Sequence, residues 1–109
     1  MAGKYEIKTT ANDKWMFNLK AGNGEIILTS ELYTTKAACQ NGIESVQKNS
    51  PLVERYEIRE SRKGEPYFVL KAANHQIIGQ SEMYSSMAAC KNGIASVQAN
   101  GPTTVIVEL

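Results

Sequence analysis

The sequence predicts an α+β fold in which two tandem β-β-β-α-β repeats form one antiparallel sheet around a pseudo-twofold axis, with exchanged fourth strands and two helices packed on the sheet. Three observations carry this expectation. Residues 5–51 align with residues 56–102 without a gap, and about half of the paired positions are identical, the mark of an internal duplication. Within each copy, stretches that alternate apolar and polar residues give way to one stretch with helical spacing. Two copies are too few for a solenoid, so they are expected to share one core, as a dimer fused into one chain does.

The first strand is expected at KYEIKTT, which places Tyr5 and Ile7 on one face and Glu6 and Lys8 on the other. KWMFNLKA alternates in the same way, with Trp15, Phe17 and Leu19 together and Met16, Asn18 and Lys20 opposite. The second copy identifies the inner face, because Phe17 and Leu19 match Phe68 and Leu70 whereas Asn18 matches Val69. Asn23-Gly24 predicts a hairpin into the third strand, since a type I′ turn needs positive φ at both central positions. The second copy has His75 in the place of Gly24, so that turn either takes another geometry or holds left-handed backbone without glycine.

TTKAACQNGIESVQKN follows, with Ala38 or Cys39, Ile43 and Val46 at helical spacing, and predicts amphipathic helices at about 35–48 and 86–99. Thr34 or Thr35, and Ser85 or Ser86, are suited to cap them. Gly42 and Gly93 fall inside these helices at a cost of about 1 kcal/mol each against alanine. Close approach of the helix backbone to the sheet or to the other helix is the expected compensation. Asn49-Ser50-Pro51 and Asn100-Gly101-Pro102 end the helices, with a left-handed cap expected at each.

TTVIVEL aligns with LVERYEI, so the segment after the first helix leads into the first strand of the second copy with almost no turn between. Either one long strand spans residues 52–60, or a sharp bend serves both repeats. The β-branched C-terminal segment needs a sheet edge, and that of the first copy is the symmetric candidate.

Two β-β-β-α-β units with "NG" hairpins, SE-x-Y before the helix and AACxNGIxSVQ on it resemble the YegP-like family, small bacterial proteins classed as a domain of unknown function. The resemblance covers essentially the whole chain. It implies a single antiparallel sheet built by both repeats, with fourth strands exchanged and the helices packed against it; family members with one repeat resemble one half and dimerise. Copy two departs from the pattern at Ala73 and His75, which replace glycines, and at Pro66, which replaces the aromatic at Trp15. The resemblance implies no activity and carries over no functional residue.

The 109 residues suit one domain, with repeats at about 4–54 and 55–109, able to bury roughly 65% of the surface of the unfolded chain without a disulfide or metal. Net charge is +1, with 12 basic and 11 acidic residues interspersed, which disfavours nucleic acid as partner. There is no apolar leader, and no apolar run nears the ~20 residues of a membrane span. The expectation is a soluble cytoplasmic protein without membrane contact. Cys39 and Cys90 occupy equivalent helix positions and read as buried free thiols, with a redox pair across the axis as the sharper alternative. His75, the lone histidine, reads as a solvated turn residue because metal sites demand several ligands.

Ser30-Glu31 with Tyr33, and Ser81-Glu82 with Tyr84, repeat a hydroxyl, a carboxylate and a phenol at the strand-to-helix junctions. They suit two small-ligand sites, or, as the simpler reading, local backbone hydrogen bonds and a ring that staples the chain to the helix. One histidine in one copy does not supply a nucleophile-base-orienter set. The carboxylate pairs Glu6 with Glu57 and Glu31 with Glu82 sit among cations without an implied cleft, and the glycines match no phosphate-binding spacing. No catalytic residue, metal ligand or cofactor is assigned.

With helices on one side, the opposite sheet face is expected to show Glu6, Lys8, Met16, Asn18, Lys20, Glu57, Arg59, Tyr67, Val69 and Lys71. The resulting expectation is a non-catalytic binding or interaction module, monomeric as an internally fused pseudo-dimer. It would meet a protein partner through this face, with Lys20, Tyr67 and Lys71 as candidates, or through an edge strand. The alternative is a small-ligand sensor or enzyme at the paired Ser-Glu-x-Tyr sites.

Overall fold

In the structure, a computed structural model that describes residues 3–109, all strands belong to one sheet. The first repeat supplies β1 (Lys4–Thr9), β2 (Trp15–Lys20), β3 (Ile26–Ser30) and α1 (Lys36–Asn49). A 3-10 turn at Val53–Arg55 leads into β4 (Tyr56–Glu60), β5 (Pro66–Lys71), β6 (Ile77–Gln80), α2 (Met87–Asn100) and β7 (Ile106–Glu108). The strand order is β4-β5-β6-β3-β2-β1-β7. The repeats join where β3 pairs antiparallel with β6, Thr29 opposite Gln80 and Ser30 opposite Gly79.

The sheet is mixed, because β7 runs parallel to β1 while every other pairing is antiparallel. The sense follows from where α2 delivers the chain. Its end lies beside the start of β1, where Tyr5 Oη donates to Gly101 O at 2.6 Å and Thr103 Oγ1 donates to Gly3 O at 2.8 Å. The tail then runs up β1 in the same direction, with Tyr5 opposite Ile106 and Ile7 opposite Glu108. The expected exchange of the last strand onto the first repeat is therefore present. Its counterpart differs, since the residues equivalent to β7 in the first repeat are Arg55, Tyr56 and Glu57, which end the 3-10 turn and begin β4 and cannot also pair with it. The bend at Val53–Arg55 serves both repeats, and β4 is left at the sheet edge.

Both helices pack on the face that carries Tyr5, Ile7, Phe17, Leu19, Phe68 and Leu70, burying Cys39, Ile43 and Val46 from α1 and Cys90 and Val97 from α2. Thr35 and Ser86 cap the helices, each accepting from the backbone amide three residues on. The C-termini differ from expectation: Ser50 and Gly101 keep right-handed helical backbone and donate to Val46 O and Val97 O. A left-handed residue is unnecessary because Leu52 N and Thr103 N bond Asn49 O and Asn100 O, closing each helix with a tighter turn. Where the pseudo-axis brings equivalent positions together, only one side chain fits. Gly79 stands against its counterpart Leu28, and Gly101 against its counterpart Ser50, whose buried hydroxyl has no partner among the described residues. Tyr56 Oη donates to Ser50 O at 2.7 Å, repeating the Tyr5 bond from the other side of the axis.

All four hairpin loops share one geometry, and it is not type I′. Ala21 N bonds Glu25 O and Gly24 N bonds Ala21 O, with positive φ at Gly24 but not at Asn23. This is a three-residue loop closed by a single left-handed residue. Asn23 Oδ1 instead accepts from Glu25 N, so the asparagine contributes a side-chain acceptor. The left-handed position is taken by Asp13 and Gly24 in the first repeat and by Gly64 and His75 in the second. His75, at φ 69°, bears the strain a β-carbon brings there. His75→Gly is expected to raise stability by up to about 1 kcal/mol, the loss of strain being partly offset by a freer unfolded chain. A melting temperature equal to or below that of the wild type would remove the strain argument.

Candidate functional site

Register alone assembles the sheet face opposite the helices. Pairings align Glu57, Val69, Gln80, Thr29, Asn18, Glu6 and Val107 in one row across all seven strands. Val69 is 1% exposed and Asn18 5% exposed, although neither belongs to the core under the helices. Asn18 Nδ2 donates to Thr29 Oγ1 at 3.0 Å, satisfying part of the buried amide.

Glu57 at one end of the row and Glu6 next to the other each place a carboxylate between two cations. Glu6 lies 2.9 Å from Lys20 and 3.4 Å from Lys4. Glu57 lies 2.6 Å from Lys71 and 2.5 Å from Arg59, which stands opposite Tyr67. Lys20, hydrogen-bonded to Glu6 and seconded by Lys4, holds that carboxyl below the ordinary range. Lys71 and then Arg59 lower the carboxyl of Glu57 to about 2. The named cations Lys4, Lys8, Lys20, Arg59 and Lys71 outnumber the two glutamates of this face.

A pH dependence follows. Since the pKa of Glu57 falls on folding from 4.5 to about 2, the unfolded chain takes up the proton first on acidification. The stabilisation is complete above pH 4.5 and lost as pH falls towards 2. Glu57→Gln is expected to melt below the wild type at neutral pH, with the gap closing by pH 2. A gap that does not change with pH would mean the carboxylate is not held by these cations.

The junction residues divide. Ser30 Oγ accepts from Phe17 N at 2.9 Å and donates to Glu31 O, and Ser81 Oγ does the same with Phe68 N and Glu82 O. Both hydroxyls are committed to backbone. Tyr33 stacks on Phe17 with centroids 6.4 Å apart, and Tyr84 on Phe68 at 6.3 Å, each hydroxyl lying over the mid-helix glycine. Burial first, then Cys39 and Glu31, raise the Tyr33 phenol; burial, Glu82, Cys90 and Glu25 raise that of Tyr84. Tyr33 exchanges two 2.7 Å backbone bonds with Trp15, whereas Tyr84 makes only one with Pro66, which has no N–H.

A groove of about 290 Å³ opens beside the first junction, between α1 and the β5–β6 hairpin of the other repeat. Glu31, Tyr33, Asn41, Ser45, Asn74 and Gln76 supply its polar lining. Sequence reasoning missed Asn74 and Gln76, because the partner hairpin comes from the other repeat; the tip equivalence of Asn23 and Asn74 was the available signal. The equivalent of Gln76 is Glu25, which influences Tyr84, so the second junction carries an additional carboxylate. Cys39 and Cys90 are free, fully buried, and raised in pKa by that burial, which makes them poor nucleophiles. His75 is exposed on its loop. Among the described residues, no cluster of His, Cys, Asp or Glu is placed to hold a metal, and no helix is long and apolar enough to cross a membrane.

A family model described as a domain of unknown function, DUF1508, matches residues 11–57 and again 61–108. The matches end inside β4 and at the last residue of β7, the two segments that the internal alignment equates. The UPF0339 protein YegP of Yersinia pestis is 62% identical over 107 residues, covering 98% of this chain and 96% of that protein. The YegP protein of Escherichia coli K12 is 53% identical, covering 97% and 96%. The solution structure of a UPF0339 protein from Shewanella oneidensis superposes with a TM-score of 0.94 at 60% identity, covering 100% of this chain and 92% of that one. That of yegP from E. coli, titled a protein of unknown function, also gives 0.94, at 52% identity, covering 99% and 93%.

Proposed function

The chain belongs to the DUF1508 family, whose description names no activity, and from the geometry we propose that it is a non-catalytic binding module presenting the open sheet face to a protein partner. The observation that carries this reading is the seven-strand row, in which buried Val69 and Asn18 flank the central Gln80 and Thr29 and an ion-pair cluster stands towards either side. A pre-ordered surface with paired charges suits recognition, since little side-chain freedom is left to lose on docking. Lys20 and Lys71 orient the two carboxylates, and Tyr67 offers a large ring beside Arg59. Excess cations on this face favour an acidic partner surface. The serine hydroxyls bonded to backbone and the buried thiols weigh against covalent catalysis.

Native mass spectrometry of the protein isolated gently from its own host tests this. Wild type is expected to retain a protein-sized mass above the 12.0 kDa chain. The variant with Lys20→Ala, Tyr67→Ala and Lys71→Ala should lose that mass while still giving a cooperative melt, since the partly buried pairs it removes lie outside the core under the helices. A bare chain for the wild type, or equal retention by the variant, would sink the reading.

The groove at Glu31 and Tyr33 favours a second reading, a polar small-molecule site with a related one at Glu82 and Tyr84. It is expected to show as a retained mass of small-molecule size that Glu31→Gln with Glu82→Gln removes. Retention unaffected by that pair of substitutions would exclude these junctions.

A further inference from the structure

We propose that the free edge of β4 is a docking site for an extended, β-branched apolar segment of a partner protein, added parallel to β4 as β7 is added to β1. The chain contains this edge twice. Lys4-Tyr5-Glu6-Ile7-Lys8 forms one copy and Arg55-Tyr56-Glu57-Ile58-Arg59 the other. The first is covered by β7, through Tyr5 N to Val105 O and Leu109 N to Ile7 O, both at 2.9 Å. The second has no strand beside it among the described residues. Ile7 is 1% exposed and Ile58 38%, so the molecule itself displays the filled and the empty form of one site.

The turn before β4 reproduces only the first bond of the filled edge. Val53 O accepts the Tyr56 amide, as Val105 O accepts that of Tyr5. Beyond it, Ile58 presents its amide and carbonyl away from β5, the polar pair on which a strand is added. Leu52 and Val53 are also exposed, extending the apolar ledge.

The occupant is not the β7 of a second copy. Each chain has one such strand and two edges that accept it, so lending β7 opens the lender's own β1 and leaves the count of vacant edges unchanged. Side-chain chemistry distinguishes the partner segment from β7. Glu108 on β7 meets Lys36 at 2.5 Å, but the residue equivalent to Lys36 in the second repeat is Met87, which is exposed. An apolar residue is therefore preferred where β7 has its glutamate. This site is separate from the open-face reading, and the Lys20, Tyr67 and Lys71 substitutions should leave it unaffected.

The test titrates the full ¹⁵N-labelled chain with a synthetic peptide of the sequence of residues 103–109, and with the same peptide carrying Glu108→Met. Saturable amide shifts are expected in Tyr56–Glu60 and not in β1, with several-fold tighter binding of the methionine peptide. Ile58→Pro removes the outward amide, which an edge strand tolerates, and Ile58→Lys keeps the amide but charges the edge. Both variants should keep the wild-type spectrum elsewhere and lose the response. No saturable shift into the millimolar range, or shifts confined to β1 as β7 is displaced, would overturn the proposal. So would concentration-dependent dimers of the free protein protected at β4, which would make a second copy the occupant.

Discussion

Gly42→Ala is expected to destabilise the protein by about 1–3 kcal/mol, the cost of forcing atoms into a packed interior, although alanine in a helix interior ordinarily gains about 1 kcal/mol over glycine. A β-carbon at position 42 lands on the Tyr33 hydroxyl and falls 2.8 Å from Tyr33 Cζ and 3.1 Å from Phe17 Cε2. The ring cannot slide freely, because it lies 10° from parallel with Phe17 and its backbone is tied by two bonds to Trp15. Gly93 repeats the arrangement with Tyr84 Cζ at 2.6 Å and Phe68 Cε2 at 3.2 Å. The expected compensation for these glycines was approach to the sheet or the other helix; the sheet is met at Phe17 and Phe68, and the nearest approach is to the tyrosine that ends the SE-x-Y motif. Tyr33→Phe removes the clashing oxygen, so a cycle of Gly42→Ala, Tyr33→Phe and the double variant, read by urea denaturation, should show the second change recovering part of the first loss. A Gly42→Ala protein as stable as the wild type would mean the ring yields at no cost.

This pairing shows where sequence reasoning reaches and where it stops. Strand faces and helices were legible because period-two and period-3.6 patterns each occur twice, and comparison of Asn18 with Val69 against Phe17 with Phe68 separates the open face from the core. Helix caps were legible for a local reason, since Thr35 and Ser86 act within three residues. The hairpin geometry was not, because Asn-Gly is compatible with more than one loop and the choice depends on strand register. The direction of β7 was hidden too, being set by where α2 releases the chain and not by any property of TVIVEL. At the open face, alternation placed the charges together but could not choose partners. Glu6 takes Lys4 and Lys20, yet Glu57 takes Arg59, two residues on the other side of it, and Lys71. The groove at Glu31 was least legible, since Asn74 and Gln76 of its polar lining cross from the other repeat.

Ending the chain at Thr104 is expected to cost about 2–4 kcal/mol, even though β7 is short and every residue of it is exposed. A solvent-exposed tail would ordinarily be dispensable. What the tail covers decides otherwise. Without it, Ile7 would approach the exposure of Ile58, a change from 1% to 38%, and partial uncovering of an isoleucine costs about 1 kcal/mol. The bonds from Tyr5 N to Val105 O and from Leu109 N to Ile7 O are lost, each contributing about 0.5–1.5 kcal/mol. The pair of Lys36 with Glu108 adds little, being exposed. Because Tyr5 Oη also anchors the end of α2 through Gly101, loosening of β1 should spread to that helix. Hydrogen exchange should therefore rise in β1 and at the end of α2 but not in β4, whose edge is already free. A truncated protein that melts like the full chain would show that β1 holds its place without a neighbour. In that case the vacancy beside β4 would be an ordinary sheet edge, with no more need of a partner strand than β1 has.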